Sequence, residues 1–372
     1  MLYIIGFTGK GMELGNKIKN KLDFPARLYQ KTEQDREIGE KVSGTLQQWT
    51  RDAFLNADMI LFIGACGIAV RSIAPFLKDK WKDPAVLVMD EGGTFCISLL
   101  GGHAGGGNRW CKKIAELTGA CPVITTATDL RELFAVDIFA LENDFYIKEH
   151  TLAKEVSAAV LAGEILPLVF GDEILTEEGK SEILKRRDDL MPQGIALFLE
   201  SEYLKEKKHK EKLGIYAGVR RRELPFEKTL HLIPKSLILG LGCKKGTGEM
   251  AIRDRVEEFY REKELCNEAF FMAATIDLKK DEPGLLAFAK NSGLFLKTYS
   301  REKLSLLPGE FSGSPFVKQV TGVDNVCERS ALACAIDQGK EAALLEGKYS
   351  GDGVTIAAVV VLRKEIVWDK FM

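Results

Sequence analysis

Apolar positions along the chain gather into short unbroken runs, set apart by longer segments of helical period. In the first third, residues 2–7, 59–64, 85–90, 95–100 and 122–126 are the unbroken runs. Residues 11–20, 46–56, 68–77 and 108–118 repeat their apolar positions three and four apart. Continuous Ile/Leu/Val runs alternating with amphipathic helices predict a largely parallel sheet covered on both faces. The same alternation resumes late in the chain, with strands expected at 236–241, 270–276, 294–299 and 354–362 and helices at 248–264, 284–291 and 325–338. Between them the texture changes. A helix is expected at 151–163 and short strands at 167–170 and 195–200, beside charge-dense stretches at 202–213 and 220–223. The pattern predicts an α/β protein of two doubly wound α/β domains, 1–129 and 234–372, with a smaller α+β central domain at 130–233.

Composition narrows the class. The chain has 372 residues, 46% of them hydrophobic and 28% charged, as in an ordinary globular protein. A formal net charge of −2 excludes a dedicated nucleic-acid binder, which carries a basic surplus. No apolar run reaches membrane-spanning length, and residues 1–7 lack the basic start of a leader and read as a first strand. The cytoplasm is the expected location. Eight cysteines are scattered without a C-x-x-C pair, which reads as reduced thiols in the core rather than a zinc site.

Candidate chemistry lies at strand-to-helix turns. Residues 101–108 (GGHAGGGN) place five glycines in seven positions after an apolar run. Bare backbone ahead of a helix aims N–H groups at an anion; the alternative is tight helix–sheet packing. Gly102, Gly105, Gly106 and Asn108 are the candidate binding positions, and His103, one of only four histidines, is the candidate general acid or base. Glu91, in the turn 90–93 (DEGG), is expected to face the same crevice and to orient His103 or act as a second base; plain turn chemistry is the alternative. Arg71 lies about one turn into a helix after the small-residue turn 64–67 and could fork onto a carboxylate. Residues 240–247 (GLGCKKGT) form a second glycine turn, where Lys244 and Lys245 add charge and Thr247 could cap the next helix. Neither turn has the Walker or dinucleotide register. Two such turns point to a large, multiply charged ligand.

These residues carry a resemblance. Residues 64–75 (GACGIAVRSIAP), 83–88 (DPAVLV), 90–108 (DEGGTFCISLLGGHAGGGN), 123–129 (VITTATD), 241–247 (LGCKKGT), 277–285 (DLKKDEPGL) and 314–332 (SPFVKQVTGVDNVCERSAL) together resemble the cobalt-precorrin-5A hydrolase family of anaerobic cobalamin biosynthesis. Gly101, Gly107 and Ser330 depart from the pattern, where Ser, Ala and Ala are expected. The resemblance implies a hydrolase acting on a ring-contracted cobalt tetrapyrrole. It would open a δ-lactone and release acetaldehyde, giving cobalt-precorrin-5B. Cobalt would arrive in the substrate, with no cofactor held by the chain. Other enzymes of the pathway are the expected partners, with no nucleic acid and no membrane, and a homodimer is left open. A non-catalytic tetrapyrrole- or nucleotide-binding module is the other class the residues allow.

Overall fold

Runs too apolar to face water become the centre of the first sheet. The computed structural model describes residues 1–31, 38–79, 82–102, 105–126, 133–205, 211–221 and 226–368. They divide into two compact units, Met1–Ile138 and Phe139–Met372. The first unit holds β1 (Leu2–Gly6), β2 (Ala26–Gln30), β3 (Glu40–Lys41), β4 (Met59–Ile63), β5 (Ala85–Met89), β6 (Phe95–Leu100) and β7 (Cys121–Val123). Their order across the sheet is β3-β2-β1-β4-β5-β6-β7. Strands β4 and β5 are buried at every position. Successive side chains of a strand point to opposite faces. Met59, Leu61 and Ile63 with Leu87 and Met89 therefore pack under the helices Gly9–Lys21 and Gly107–Thr118. Ile60 and Phe62 with Val86 and Val88 meet Trp49, Ala53, Ala69 and Ile73 of Leu46–Asn56 and Cys66–Ile73. Each aliphatic side chain so buried contributes about 2 kcal/mol.

One strand reverses. Strands β1 to β5 are mutually parallel, but β6 pairs antiparallel with β5, matching Met89 with Cys96 and Val86 with Leu100. The chain therefore leaves β6 beside the start of β5, at the sheet edge opposite the one where β1, β4 and β5 end.

The second unit carries two sheets. The first holds β8 (Phe145–Ile147), β9 (Leu166–Phe170), β10 (Ile195–Leu199), β11 (Leu213–Ala217) and β12 (Lys228–Pro234), in the order β10-β9-β11-β12-β8. Its first four strands are parallel and β8 is an antiparallel edge, with the helices His150–Leu161 and Glu177–Lys185 between strands. The central segment is thus more parallel than its texture predicts, because β11 and β12 adjoin the charged stretches that obscure them. The chain's end returns to this sheet. Arg363 N–H donates to the Ile174 carbonyl at 2.9 Å, and Trp368 stacks on Phe139 at 5.0 Å.

The other sheet holds β13 (Leu237–Cys243), β14 (Phe270–Ile276), β15 (Phe295–Tyr299), β16 (Ala342–Gly351) and β17 (Val354–Val361), ordered β15-β14-β13-β17-β16. Strands β13 to β15 are parallel, and the β16–β17 hairpin completes the sheet antiparallel. The helix Cys327–Ile336 packs on it through Ala331, Ala335 and Cys334. It comes close because β13 has no side chain at Gly240, where a Cβ would stand 1.9 Å from the Cys327 carbonyl oxygen. Among the described residues no helix is long and apolar enough to cross a membrane.

Candidate functional site

In the first unit, β1, β4 and β5 end along one edge, where open α/β sheets gather ligands. Thr8 follows β1 there. Its hydroxyl oxygen accepts the Gly11 N–H at 3.1 Å, capping the first helix, and its O–H donates to Glu91 Oε2 at 2.7 Å. Glu91 is exposed. Its neighbour Asp90 is committed to the turn, accepting N–H bonds from Gly92 at 3.1 Å, Thr94 at 2.9 Å and Phe95 at 2.6 Å. Partial burial alone would raise the Asp90 pKa. The hydrogen bonds from Phe95, Thr94 and Gly92 outweigh it and hold the carboxyl below its ordinary value. A carboxylate with a depressed folded pKa adds stability above its unfolded pKa, about 3.8 here, and loses it as pH falls through the folded value. Asp90→Ala is therefore expected to cost about 2 kcal/mol at neutral pH, from three lost backbone partners. Melting the two proteins side by side down the pH scale should show that difference shrinking once Asp90 is protonated.

The glycine turn stands elsewhere. A Cβ on Gly101 would lie 3.0 Å from Ala85 Cα, and one on Gly105 would lie 3.2 Å from Ala85 Cβ. Ala85 opens β5, whereas Glu91 follows its end. Five residues of strand, roughly 17 Å, separate the two places. The expected shared crevice of Glu91 and the glycine turn is therefore corrected: the reversal of β6 sends them to opposite edges. His103 itself lies outside the described residues.

At Gly107 and Asn108 the turn's backbone is already engaged. Gly107 N–H donates to the Gly101 carbonyl at 3.0 Å and Asn108 N–H to that of Gly102 at 2.9 Å, so neither is open to an oxyanion. The Asn108 side chain is 1% exposed and donates from Nδ2 to Thr126 Oγ1 at 2.7 Å. A Cβ on Gly105 would meet the Gly101 carbonyl oxygen at 2.9 Å, and one on Gly102 would meet Asn108 Oδ1 at 2.7 Å. Gly106 has φ +70°, a backbone that other residues rarely adopt. Close packing of the chain on itself accounts for Gly102 and Gly105, and the positive φ for Gly106. Arg71 is exposed on its helix, with Nη1 3.4 Å from the Gly67 carbonyl.

In the second unit the 240–247 segment is partly strand. Gly240 and Gly242 lie within β13, and the turn proper begins at Lys244. Thr247 does not cap the next helix. Gly248 holds that position, and the Thr247 hydroxyl donates to the Lys244 carbonyl at 2.8 Å. Gly246 N–H already has an anion, Glu282 Oε2 at 3.0 Å. That bond, followed by the one from Lys279, holds the Glu282 carboxyl below its ordinary value.

Beyond the turn opens a cleft of about 480 Å³. Lys244, Lys245, Lys279 and Lys348 line it, over an apolar surface that includes Ile276, Val317, Val326 and Val354. Lys279 is neutralised by Glu282 at 2.9 Å. Among the described residues no carboxylate forms an ion pair with Lys244, Lys245 or Lys348. Three ammonium groups without an ion pair among the described residues, above an apolar floor, suit a flat ligand with carboxylates at its rim. The predicted pair Lys244 and Lys245 is thus brought together with Lys348, which sequence reasoning missed.

Comparison with known proteins follows the same division. A profile described as cobalamin synthesis G N-terminal matches residues 48–129, one for the cobalamin biosynthesis central region matches 134–234, and one for the cobalamin synthesis G C-terminus matches 237–359. The cobalt-precorrin-5A hydrolase of Salmonella typhimurium is 33% identical over 320 residues, spanning 84% of this chain and 85% of that protein. The chain belongs to the cobalt-precorrin-5A hydrolase family. A second member, from Priestia megaterium, is 28% identical over 365 residues, 96% of this chain and 94% of that one. A crystal structure described as a putative cobalamin biosynthesis protein G homolog from Sulfolobus solfataricus covers 97% of both chains at 20% identity, with a TM-score of 0.39.

Family membership spans both the glycine turn and the cleft. Lys279 lies in the 277–285 stretch that carries part of the resemblance. The 314–332 stretch carries Val317 and Val326 of the apolar surface, so its place in the family pattern has a physical counterpart. Lys348 had no such signal, since β16 lacks the unbroken apolar run that marks the other strands.

Proposed function

We propose that this chain is a cobalt-precorrin-5A hydrolase. The observation that carries the reading is 33% identity to a protein of that name across 84% of the chain. The cleft supports it physically: a corrin-type macrocycle is flat and apolar across its face and anionic at its rim, and Lys244, Lys245 and Lys348 over an apolar surface complement that shape.

The reaction proceeds in two stages. Water adds to the lactone acyl carbon, the acyl–oxygen bond breaks, and a carboxylate and a hydroxyethyl group result. A base then takes the hydroxyl proton, the carbon–carbon bond to the ring breaks, and its electron pair and a proton pass to the macrocycle as acetaldehyde leaves. Cobalt enters as part of the substrate. His103 is the candidate base, since imidazole titrates near neutrality. Glu91 is given no role in this reading, since it stands at the far end of β5 from Gly101 and Gly105. Lys244 and Lys245 bind substrate carboxylates.

Incubation with cobalt-precorrin-5A under an aldehyde trap tests the reading. One trapped acetaldehyde per substrate consumed is expected. A bound substrate recovered unchanged would mean a carrier instead. A His103→Ala variant turning over at the wild-type rate would remove the base assignment alone.

A further inference from the structure

Strand β16 breaks its ladder at the cleft. Glu346 pairs with Ala358 and Tyr349 with Ile356, so two residues, Gly347 and Lys348, stand opposite the single residue Ala357. A bulge of this kind removes an N–H from the ladder and re-aims a side chain. Here the lost partner is replaced. Lys348 N–H donates to Glu328 Oε1 at 2.6 Å. Glu328 is 1% exposed, and its other oxygen accepts the Ser312 N–H at 3.0 Å. Asn325 completes the arrangement, giving Nδ2 to the Ser312 carbonyl at 3.2 Å and accepting the Glu328 N–H at 2.9 Å. Ser312 leads into Ser314, the cap of Pro315–Thr321, whose Val317 and Thr321 line the cleft. One buried carboxylate thus ties together both walls, the bulge that carries Lys348 and the segment that leads into the helix opposite.

A buried carboxylate is costly unless its oxygens are satisfied, and here both are spent on backbone of the cleft walls. We propose that Lys348 is a carboxylate-binding residue of this cleft and that Glu328 is its positioning residue. This rests on the reading of the cleft as the substrate site. Lys348 presents a cation to a rim carboxylate of the macrocycle, beside Lys244 and Lys245. Glu328 never touches substrate; it fixes the bulge from which Lys348 reaches.

Steady-state kinetics with cobalt-precorrin-5A, followed by trapped acetaldehyde, provide the test. Lys348→Met is expected to raise KM about tenfold with kcat little changed, as loss of one charge-assisted contact does, and Lys348→Arg to restore most of it. Glu328→Gln puts an amide N–H₂ against a backbone N–H and is expected to raise KM similarly. In the Lys348→Met background it should add little, which a general loss of packing would not reproduce. If Glu328→Gln does not fold, Glu328→Asp keeps the charge and is too short to reach both N–H groups. Lys348→Met with wild-type KM, while Lys244→Met and Lys245→Met both raise it, would overturn the proposal and leave the cleft reading standing. Equal effects of the Glu328 variants with and without Lys348 would overturn the positioning role. If all three lysine variants are silent, the cleft reading fails and the proposal with it.

Discussion

Replacing Lys244 and Lys245 together by methionine is expected to raise KM for cobalt-precorrin-5A about a hundredfold, from two lost hydrogen bonds to charged groups at about 1.5 kcal/mol each. Both side chains are exposed, and neither is spent on an ion pair among the described residues, so their removal costs the fold little. Methionine keeps much of the chain's apolar contact and removes the charge. The expected change is therefore in KM, with kcat nearly intact, because the carboxylates these lysines hold are not the acyl group that reacts. The wild-type KM should also climb with added salt, since exposed charges are screened within about 8 Å at physiological ionic strength. The double variant should lose most of that salt dependence.

Gly240→Ala carries the largest expected effect on stability. The added Cβ would stand 1.9 Å from the Cys327 carbonyl oxygen and 3.0 Å from Ala331 Cβ, both on the helix Cys327–Ile336. Backbone, not a flexible side-chain end, must give way. The cost is expected at about 3 kcal/mol, the upper part of the range for overpacking. The displaced helix also begins with the buried cluster around Asn325 and Glu328, so the cleft walls should loosen with it. Gly248→Ala is the control: nothing lies within 4 Å of its Cβ, and no positive φ is recorded there. Urea unfolding should show a clearly lower midpoint for Gly240→Ala and one near wild type for Gly248→Ala. A Gly240→Ala protein as stable as wild type would mean that the helix does not rest on β13 this closely.

Much of the fold was legible because apolar runs wholly buried in a sheet leave a plain mark. The Leu46–Asn56 helix, β6 and β14 fall where the pattern places them, and β4 and β5 differ by one residue at the end. The direction of β6 was the costly omission. Its signal was present: only residues 90–94 join β5 to β6, and a parallel crossover needs a dozen or more. A five-residue link requires a hairpin, and a hairpin sends the glycine turn to the other edge from Glu91. Other features had little or no signal. Strand β16 reads AALLEGKYSG, mixed in polarity because it is an edge strand with breaks in its pairing, so Lys348 stayed hidden. Glycines could not be sorted by sequence into those that admit a ligand and those that admit the chain itself. Gly240 and Gly105 prove to be of the second kind, set by the Cys327 and Gly101 carbonyls. At Ser330, where the resemblance leads to an expected alanine, the buried hydroxyl donates to the Ala274 carbonyl at 3.0 Å.

The central claim is that the lysine-lined cleft of the second unit holds the macrocycle by its rim. A crystal structure of the chain with cobalt-precorrin-5B bound measures this directly. The account predicts the ring over Val317 and Val326, with its carboxylates about 3 Å from the ammonium groups of Lys244, Lys245 and Lys348. A fully occupied ring bound elsewhere, with those three lysines touching none of it, would contradict the account.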